Sequence, residues 1–147
     1  MWAHDPFPHF GSAQCRLSLR SVQALKGIPL TVYGDGSQTR SFCYVSDLVD
    51  GLMRLMDGDY IGPVNLGNQD EYTILELASA VQKLINPQAQ LKFEPLPQDD
   101  PRRRRPDITK AKTFLNWEPK VPLSEGLKLT VTDFKGRIPT NKLKAEV

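Results

Sequence analysis

Short runs of β-branched and aromatic residues alternate along this sequence with amphipathic segments of helical period, and glycines or prolines separate them. Strands that alternate with helices of about ten residues are typical of α/β or α+β domains. The pattern predicts strands at residues 30–33, 40–45, 64–67 and 91–93. It also predicts one helix that ends near Leu25, and four more at residues 47–56, 74–84, 108–115 and 123–134. The fold class that follows is α/β.

Two of the predicted helices carry clear boundary signals. Ser46 is a favourable N-cap residue for the second helix. The apolar positions of that helix, Met53 and Met56 among them, follow a helical period, so we interpret them as a stripe that faces the core. Thr73 and Glu76 have the spacing of a capping box, which predicts the start of the third helix.

Composition limits the class of protein. The chain has 147 residues, 39% of them hydrophobic, and 19 Lys+Arg against 17 Asp+Glu give a net charge of +2. These values suit one globular domain. Cys15 and Cys43 match no metal or redox spacing, so we expect free thiols and no metal. We also find no membrane span and no secretory signal, and we expect a cytoplasmic protein.

Four consecutive arginines at residues 102–105 are the most conspicuous local feature. Three aspartates within residues 99–107 offset their charge, which argues against a nucleic-acid site. The run can be a phosphate clamp, because guanidinium groups bind phosphate oxygens in bidentate fashion and Pro101 and Pro106 would keep the segment extended. It can equally be a charged loop in solvent, and the residues alone leave both alternatives open.

A glycine-rich turn, Gly-Asp-Gly at residues 34–36, precedes Gln38 and Arg40. Its mixture of hydroxyl, amide and guanidinium groups suits a phosphate or sugar ligand. Gly-Asp-Gly is also a common turn signal, and from the residues alone we favour a plain hairpin here.

Several catalytic motifs are missing from the sequence. No strand-to-helix unit carries the glycine fingerprint of a dinucleotide site. None of the four tyrosines has a lysine four residues later, and no Ser-His-Asp set or convincing carboxylate pair is present. By its residues, the chain has a binding part without a catalytic part.

Four segments together resemble the extended short-chain dehydrogenases, the NAD-dependent epimerase/dehydratase family. They are VYGDGSQTRSFCYVSDL at residues 32–48, NLGN at 65–68, DDPRRRRPDI at 99–108 and LNWEP at 115–119, in the family's order. Within that family the chain is most similar to the UDP-glucuronate decarboxylases, which make UDP-xylose, and next to the dTDP-glucose 4,6-dehydratases. The resemblance covers residues 22–134, which correspond to about the last third of a full-length member.

The resemblance implies a C-terminal substrate-binding lobe without the N-terminal dinucleotide-binding half. Gln38 and Arg40 would lie beside the diphosphate of a UDP-sugar, with Tyr44 nearby. One or two arginines of the run would reach the diphosphate from the opposite side, and we favour Arg104, then Arg103. The full-length family uses NAD and a catalytic tyrosine and lysine from the N-terminal half. For this chain alone we expect no catalytic residue and no bound NAD.

The resemblance also divides the chain into three parts. Residues 1–20 depart from the family and are expected to be an atypical leader, of the kind that a shifted reading frame would produce. Residues 21–137 form the nucleotide-sugar-binding lobe, and residues 138–147 form a polar tail. The expected partners are a UDP-sugar and an N-terminal half or a related full-length subunit, without nucleic acid or membrane. The alternatives are a non-catalytic nucleotide-sugar-binding module and a nonfunctional remnant.

Overall fold

A computed structural model describes residues 15–96 and 102–137, with the side chains of residues 15–18 left out. Most of the predicted leader and the whole predicted tail lie outside these residues. The expected alternation of strands and helices is confirmed. The elements are α1 (Cys15–Leu25), β1 (Leu30–Tyr33), β2 (Thr39–Ser41), α2 (Val45–Asp57), β3 (Glu71–Thr73), α3 (Ile74–Ile85), β4 (Leu91–Glu94), β5 (Arg103–Arg104), α4 (Thr109–Leu115) and α5 (Leu123–Arg137).

The main core forms where α1, α3 and α5 pack around a small parallel sheet. β1 pairs with β4, with Leu30 opposite Leu91 and Val32 opposite Phe93. Leu30 and Val32 are fully buried, and so is the inner face of α3, which the sequence period predicted. The buried members of the largest cluster are Ala24, Leu30, Leu77, Val81, Ala89 and Leu127.

The start of α3 confirms the predicted capping box. The Thr73 hydroxyl accepts the backbone N–H of Glu76 at 3.1 Å, and the Glu76 carboxylate accepts the backbone N–H of Thr73 at 2.7 Å. Two N–H groups that have no partner within the helix are satisfied in this way. The backbone N–H and then the hydroxyl of Thr73, which both donate to the Glu76 carboxylate, hold the pKa of Glu76 below its usual value.

The second sheet has the strand order β3-β2-β5. β2 runs antiparallel to β3 and parallel to β5. The plain hairpin that we favoured at residues 34–36 is therefore wrong, because β1 and β2 flank that turn but belong to different sheets. Gly34 and Gly36 have φ values of +61° and +75°, a conformation that glycine adopts without steric cost, so the chain can turn sharply from one sheet to the other.

A smaller core surrounds Trp117, which is 2% exposed. Ile108, Ala111 and Leu115 of the α4 segment pack with it. The buried Gly51 brings α2 against this cluster, since a Cβ at that position would lie 3.0 Å from the Trp117 ring. The indole N–H donates to the backbone carbonyl of Asp47 at 2.9 Å. These contacts fix the inner face of α2.

The outer face of α2 contradicts the expected core stripe. Val45, Val49, Leu52, Met53 and Met56, here called the outer stripe, are 62%, 47%, 52%, 58% and 83% exposed. Their helical period was correctly identified, but it marks the face that points away from Trp117. An apolar period shows that a helix has one apolar side, and it does not show what covers that side.

Several predicted elements also differ from the structure. α2 begins at Val45 with Tyr44 as its N-cap, two residues before the predicted start, so Ser46 is not the cap. The strand expected at residues 40–45 ends at Ser41, and residues 64–67 form no strand. β5 was missed because two arginines carry no strand signal, and their extended conformation comes from pairing with β2.

Candidate functional site

A cleft of about 730 Å³ opens where β2, β5, the first turn of α2 and the first half of α5 meet. Arg40, Arg104 and Arg105 line it together with Tyr44 and Gly126, and we call it the arginine cleft. Its volume lies within the range of small-molecule sites. Among the lining residues in the described part of the chain, Asp107 is the only carboxylate against three arginines, a positive balance that suits an anion.

Arg40 and Arg104 lie side by side because their strands pair in parallel register, Arg40 opposite Arg104. Arg40 is 3% exposed, and its Nη1 donates to the Thr39 carbonyl at 2.6 Å. Arg104 is exposed, and its backbone carbonyl accepts the Ser41 hydroxyl at 3.4 Å. A buried and an exposed guanidinium group on adjacent strands can reach two parts of one ligand.

The structure places Gln38 and Arg103 away from the cleft lining. Gln38 is 6% exposed, and its Nε2 donates to the Tyr33 carbonyl at 2.8 Å across the turn. The Arg103 Nε lies 2.9 Å from both carboxylate oxygens of Glu71. Hydrogen bonds from Arg103 and then from Thr39 lower the pKa of Glu71 to about 2, so this carboxylate is charged at neutral pH.

Tyr44 stands at the mouth of the cleft as the N-cap residue of α2. Its backbone carbonyl accepts the N–H groups of Asp47 and Leu48, at 3.1 and 3.2 Å. Its ring packs against α5 at Gly126, where a Cβ would lie 3.1 Å from the ring. The side chain of Tyr44 makes no cap hydrogen bond. The positive end of the α2 dipole therefore lies at the cleft, and no side chain of the N-cap residue accepts its N–H groups.

Asn65 and Asp107 connect the floor of the cleft to α4. The Asn65 amide donates to the Asp107 carbonyl at 3.1 Å. Asp107 precedes Ile108, the N-cap residue of α4, and its carboxylate accepts the hydroxyl and the backbone N–H of Thr109 at 2.6 and 2.9 Å. These bonds hold its pKa below the usual value. The Asp107 carboxylate therefore binds the first residue of α4.

Asp47 fixes the opposite wall. Its Oδ2 accepts the backbone N–H groups of Lys120 and Val121 at 3.0 and 2.9 Å, while the residue itself is 7% exposed. Val121 begins the apolar wall of the cleft, which continues through Pro122 and Leu123. One buried carboxylate therefore holds the entry of α5 against the first turn of α2.

Cys43 also lines the cleft, but its chemistry does not suit a nucleophile. Burial and then the nearby charge of Asp47 raise the pKa of its thiol to about 11. The thiol is therefore neutral near pH 7, whereas the thiolate is the reactive form. Within residues 15–96 and 102–137, no group of three or more metal-ligating side chains lies together.

Sequence reasoning missed the parts played by Glu71, Asp47 and Gly126. Glu71 lies between Asp70 and Tyr72 without any motif of its own, and only the strand pairing brings it to Arg103. Asp47 belongs to the segment 32–48 that carries the family resemblance, but the backbone groups that it binds, at Lys120 and Val121, are more than seventy residues later in the chain. The one available sequence signal was Gly126, because a glycine inside a predicted helix often marks a close contact with another element.

The described fold is the mixed α/β fold of part of an extended short-chain dehydrogenase. The chain belongs to the family described as GDP-mannose 4,6 dehydratase, whose model matches residues 14–130. Among curated proteins it is 62% identical over 117 residues to UDP-glucuronic acid decarboxylase 4 of Arabidopsis thaliana, a match of 80% of this chain and 26% of that protein. It is 58% identical over 113 residues to UDP-glucuronic acid decarboxylase 1 of Danio rerio, a match of 77% and 27%.

Solved structures agree with the family. A UDP-glucuronic acid 4-epimerase from Bacillus cereus in complex with UDP-glucuronic acid and NAD superposes with a TM-score of 0.79 at 31% identity, over 84% of this chain and 40% of that one. A UDP-glucose 4-epimerase from Thermotoga maritima with UDP-glucose gives 0.82 at 31% identity, over 90% and 42%. The chain thus spans about a quarter of these two curated relatives and about two fifths of these solved structures.

No helix in the described part of the chain combines the length and the apolar character needed to cross a membrane.

Proposed function

We propose that this chain binds the diphosphate of a UDP-sugar in the arginine cleft, as the substrate-binding lobe of a nucleotide-sugar decarboxylase that converts UDP-glucuronate to UDP-xylose. The observation that carries the proposal is the in-register pair of Arg40 and Arg104 at one edge of the cleft. Bidentate guanidinium groups match phosphate oxygens in geometry and charge.

The rest of the cleft supports the same ligand. The N-terminus of α2 adds a partial positive charge beside Tyr44, and such helix ends bind phosphate groups. Arg105 supplies a third cation at the lining. The apolar wall from Val121 to Leu123 can cover ring surface of the nucleoside or sugar. Of the two arginines favoured from the sequence, the proposal gives the diphosphate to Arg104, because Arg104 lines the cleft while Arg103 is paired with Glu71.

NAD belongs, in this proposal, to other residues of a full-length family member. When bound in such a member, NAD would supply the reversible hydride transfer that accompanies loss of carbon dioxide from the sugar. A dinucleotide site needs a glycine-rich turn between a parallel strand and a helix N-terminus. Here the glycine-rich turn after β1 leads into the strand β2, which does not fit that requirement. We assign UDP-sugar binding, and no catalytic residue, to this chain.

The partner that we propose is the N-terminal half of a full-length member, docked on the outer stripe. A stripe of five large apolar side chains at one helix face is typical of a protein interface. Val45 belongs to both the stripe and the cleft lining, so a body on the stripe would lie at the cleft mouth. Hydride transfer to or from a sugar in the cleft requires that the cofactor of the N-terminal half lie at the cleft mouth.

Calorimetric titration with UDP tests the binding proposal. We expect the parent chain to bind UDP and Arg104→Gln to weaken that binding by about tenfold or more, since a charged hydrogen bond to phosphate is lost. The matched control is Arg102→Gln, which removes the same charge two residues away and outside the cleft lining. A folded parent that gives no binding heat, or equal losses in both variants, would contradict the proposal. Arg40→Ala, checked for its fold by circular dichroism, should abolish binding.

A further inference from the structure

The strand that carries Arg104 is held weakly by its own residues. β5 contains two residues, both exposed, and lies at the edge of its sheet. Because β5 pairs with β2, the like charges of Arg40 and Arg104 lie on adjacent strands, on the face that lines the cleft. Directly opposed like charges destabilise a strand pair. An edge strand of this length, with a repulsive pair on one face, needs a stabilising contact elsewhere.

The other face of the same sheet provides that contact. Side chains of paired residues share a face, and residues two apart on one strand share it too. Thr39 is opposite Arg103, and Ser41 is opposite Glu71, so Thr39, Glu71 and Arg103 project on the face away from Arg40 and Arg104. Glu71 on β3 reaches over the central strand to Arg103 on β5. Two strand spacings amount to about 10 Å, which only long side chains can bridge.

The contact is a network rather than a single pair. Besides both bonds from the Arg103 Nε, the Arg103 Nη2 lies 2.5 Å from Glu71 Oε2. The Thr39 hydroxyl of the central strand donates to Glu71 Oε1 at 2.8 Å. The Glu71 side chain is 14% exposed, against 69% for Arg103. The partly buried carboxylate therefore ties all three strands together.

We propose that Glu71 is a positioning residue for the anion site: through Arg103 it docks β5 on the sheet and so places Arg104 beside Arg40 in the arginine cleft. Glu71 itself does not contact the ligand. The inference rests on the proposed binding of a UDP-sugar for its ligand, but the docking of β5 can be measured without any ligand.

Docking of β5 has a direct reporter, because the Thr39 backbone N–H donates to the Arg102 carbonyl at 3.0 Å. In hydrogen exchange followed by nuclear magnetic resonance, we expect Glu71→Gln to speed exchange of the Thr39 amide at least about fivefold, while amides of α3 keep the parent rate. The matched control is Glu94→Gln, which breaks the pair with Lys92 outside this sheet. An unchanged Thr39 rate would overturn the inference, and so would an equal rise across α3.

UDP titration of the same variants supplies the second measurement. We expect Glu71→Gln to bind UDP about tenfold more weakly than the parent, because part of the binding energy must now dock β5. Saturating UDP should then slow exchange of the Thr39 amide again, since coupling between two events is reciprocal. Parental UDP affinity in Glu71→Gln, together with rapid exchange, would also overturn the inference.

A charge exchange separates positioning from a loss of fold. Glu71→Arg combined with Arg103→Glu keeps an ion pair across β2, so we expect it to recover most of the slow Thr39 exchange that either single variant loses. Absence of recovery in a folded double variant contradicts the positioning role. If the parent does not bind UDP at all, the proposed function fails, and the exchange rates of Thr39 still decide the role of Glu71.

Discussion

At the scale of single residues, Asp47 joins the first turn of α2 to the entry of α5 and to Trp117. Its carboxylate accepts two backbone N–H groups at the entry of α5, and its carbonyl accepts the Trp117 indole. The Asp47 side chain is nearly buried, and there its charged hydrogen bonds to these two N–H groups are stronger than they would be in water. The wall of the cleft and the smaller core therefore depend on one residue.

Replacement of Asp47 by alanine should lower the free energy of unfolding by about 2 kcal/mol, because two partly buried N–H donors lose their acceptor. Urea unfolding measures this change. The matched control is Asp133→Ala, which removes an exposed carboxylate paired with Arg137 on α5 and should change stability by less than about 0.5 kcal/mol. Equal stability of the two variants would show that the bonds of Asp47 contribute nothing.

At the scale of elements, α2 has two faces with opposite relations to the rest of the chain. The inner face packs closely on Trp117 and Leu66 through Gly51, and the Arg54 guanidinium donates to the Asn116 carbonyl at 2.5 Å. The outer face presents the apolar outer stripe to solvent. Close packing on the inner side fixes the helix, so the exposed outer stripe has a fixed orientation.

Gly51→Ala tests the inner face. Alanine favours the helical conformation by about 1 kcal/mol over glycine, yet its Cβ would lie 2.9 Å from Leu66 Cδ2, inside contact distance. Overpacking of this kind costs about 1 to 3 kcal/mol, so we expect a net loss of about 1 kcal/mol in thermal or urea unfolding. Gly136→Ala in α5 is the control. A Cβ at Gly136 would meet no other packed group within 4 Å, so this change should be neutral or stabilising.

The sequence predicted most elements, but not how they associate. Local signals were sufficient for α3, whose capping box and inner face are encoded by neighbouring residues. They were insufficient for β5, which is extended only because β2 lies beside it. They were also misleading at Gly34–Gly36, because a turn signal does not specify which strands will pair after the turn.

The candidate site was predicted by resemblance more than by residue chemistry. Arg40, Tyr44 and Arg104 line one cleft, while Gln38 and Arg103 bind groups outside it. Four identical side chains in succession contain no information about which one faces a ligand. That choice follows from strand alternation, and alternation can be applied only when the pairing partner is known. The roles of these five residues stay predictions for the binding experiment.

At the scale of the whole molecule, the outer stripe predicts association. With Met53→Glu and Met56→Glu together, we expect weaker self-association in light scattering and weaker capture of a relative's N-terminal half. The free energy of unfolding should change by less than about 0.5 kcal/mol per substitution, because both side chains are exposed. Leu129→Glu, an equally polar change at a 44% exposed position of α5, serves as the control. Capture of the N-terminal half that the double variant leaves intact would contradict the docking surface.

The sequence distance between Ser41 and Arg104 sets the time at which the cleft can first exist during synthesis. These residues contact one another although 63 positions separate them. A ribosome that adds about 5 to 20 residues per second needs roughly 3 to 12 s to cover that interval. During this interval β2 has been synthesised, but β5, which pairs with its second edge, has not. A nascent chain stopped before residue 104 therefore has Arg40 but no anion site, and ligand binding reports that translation has passed this point.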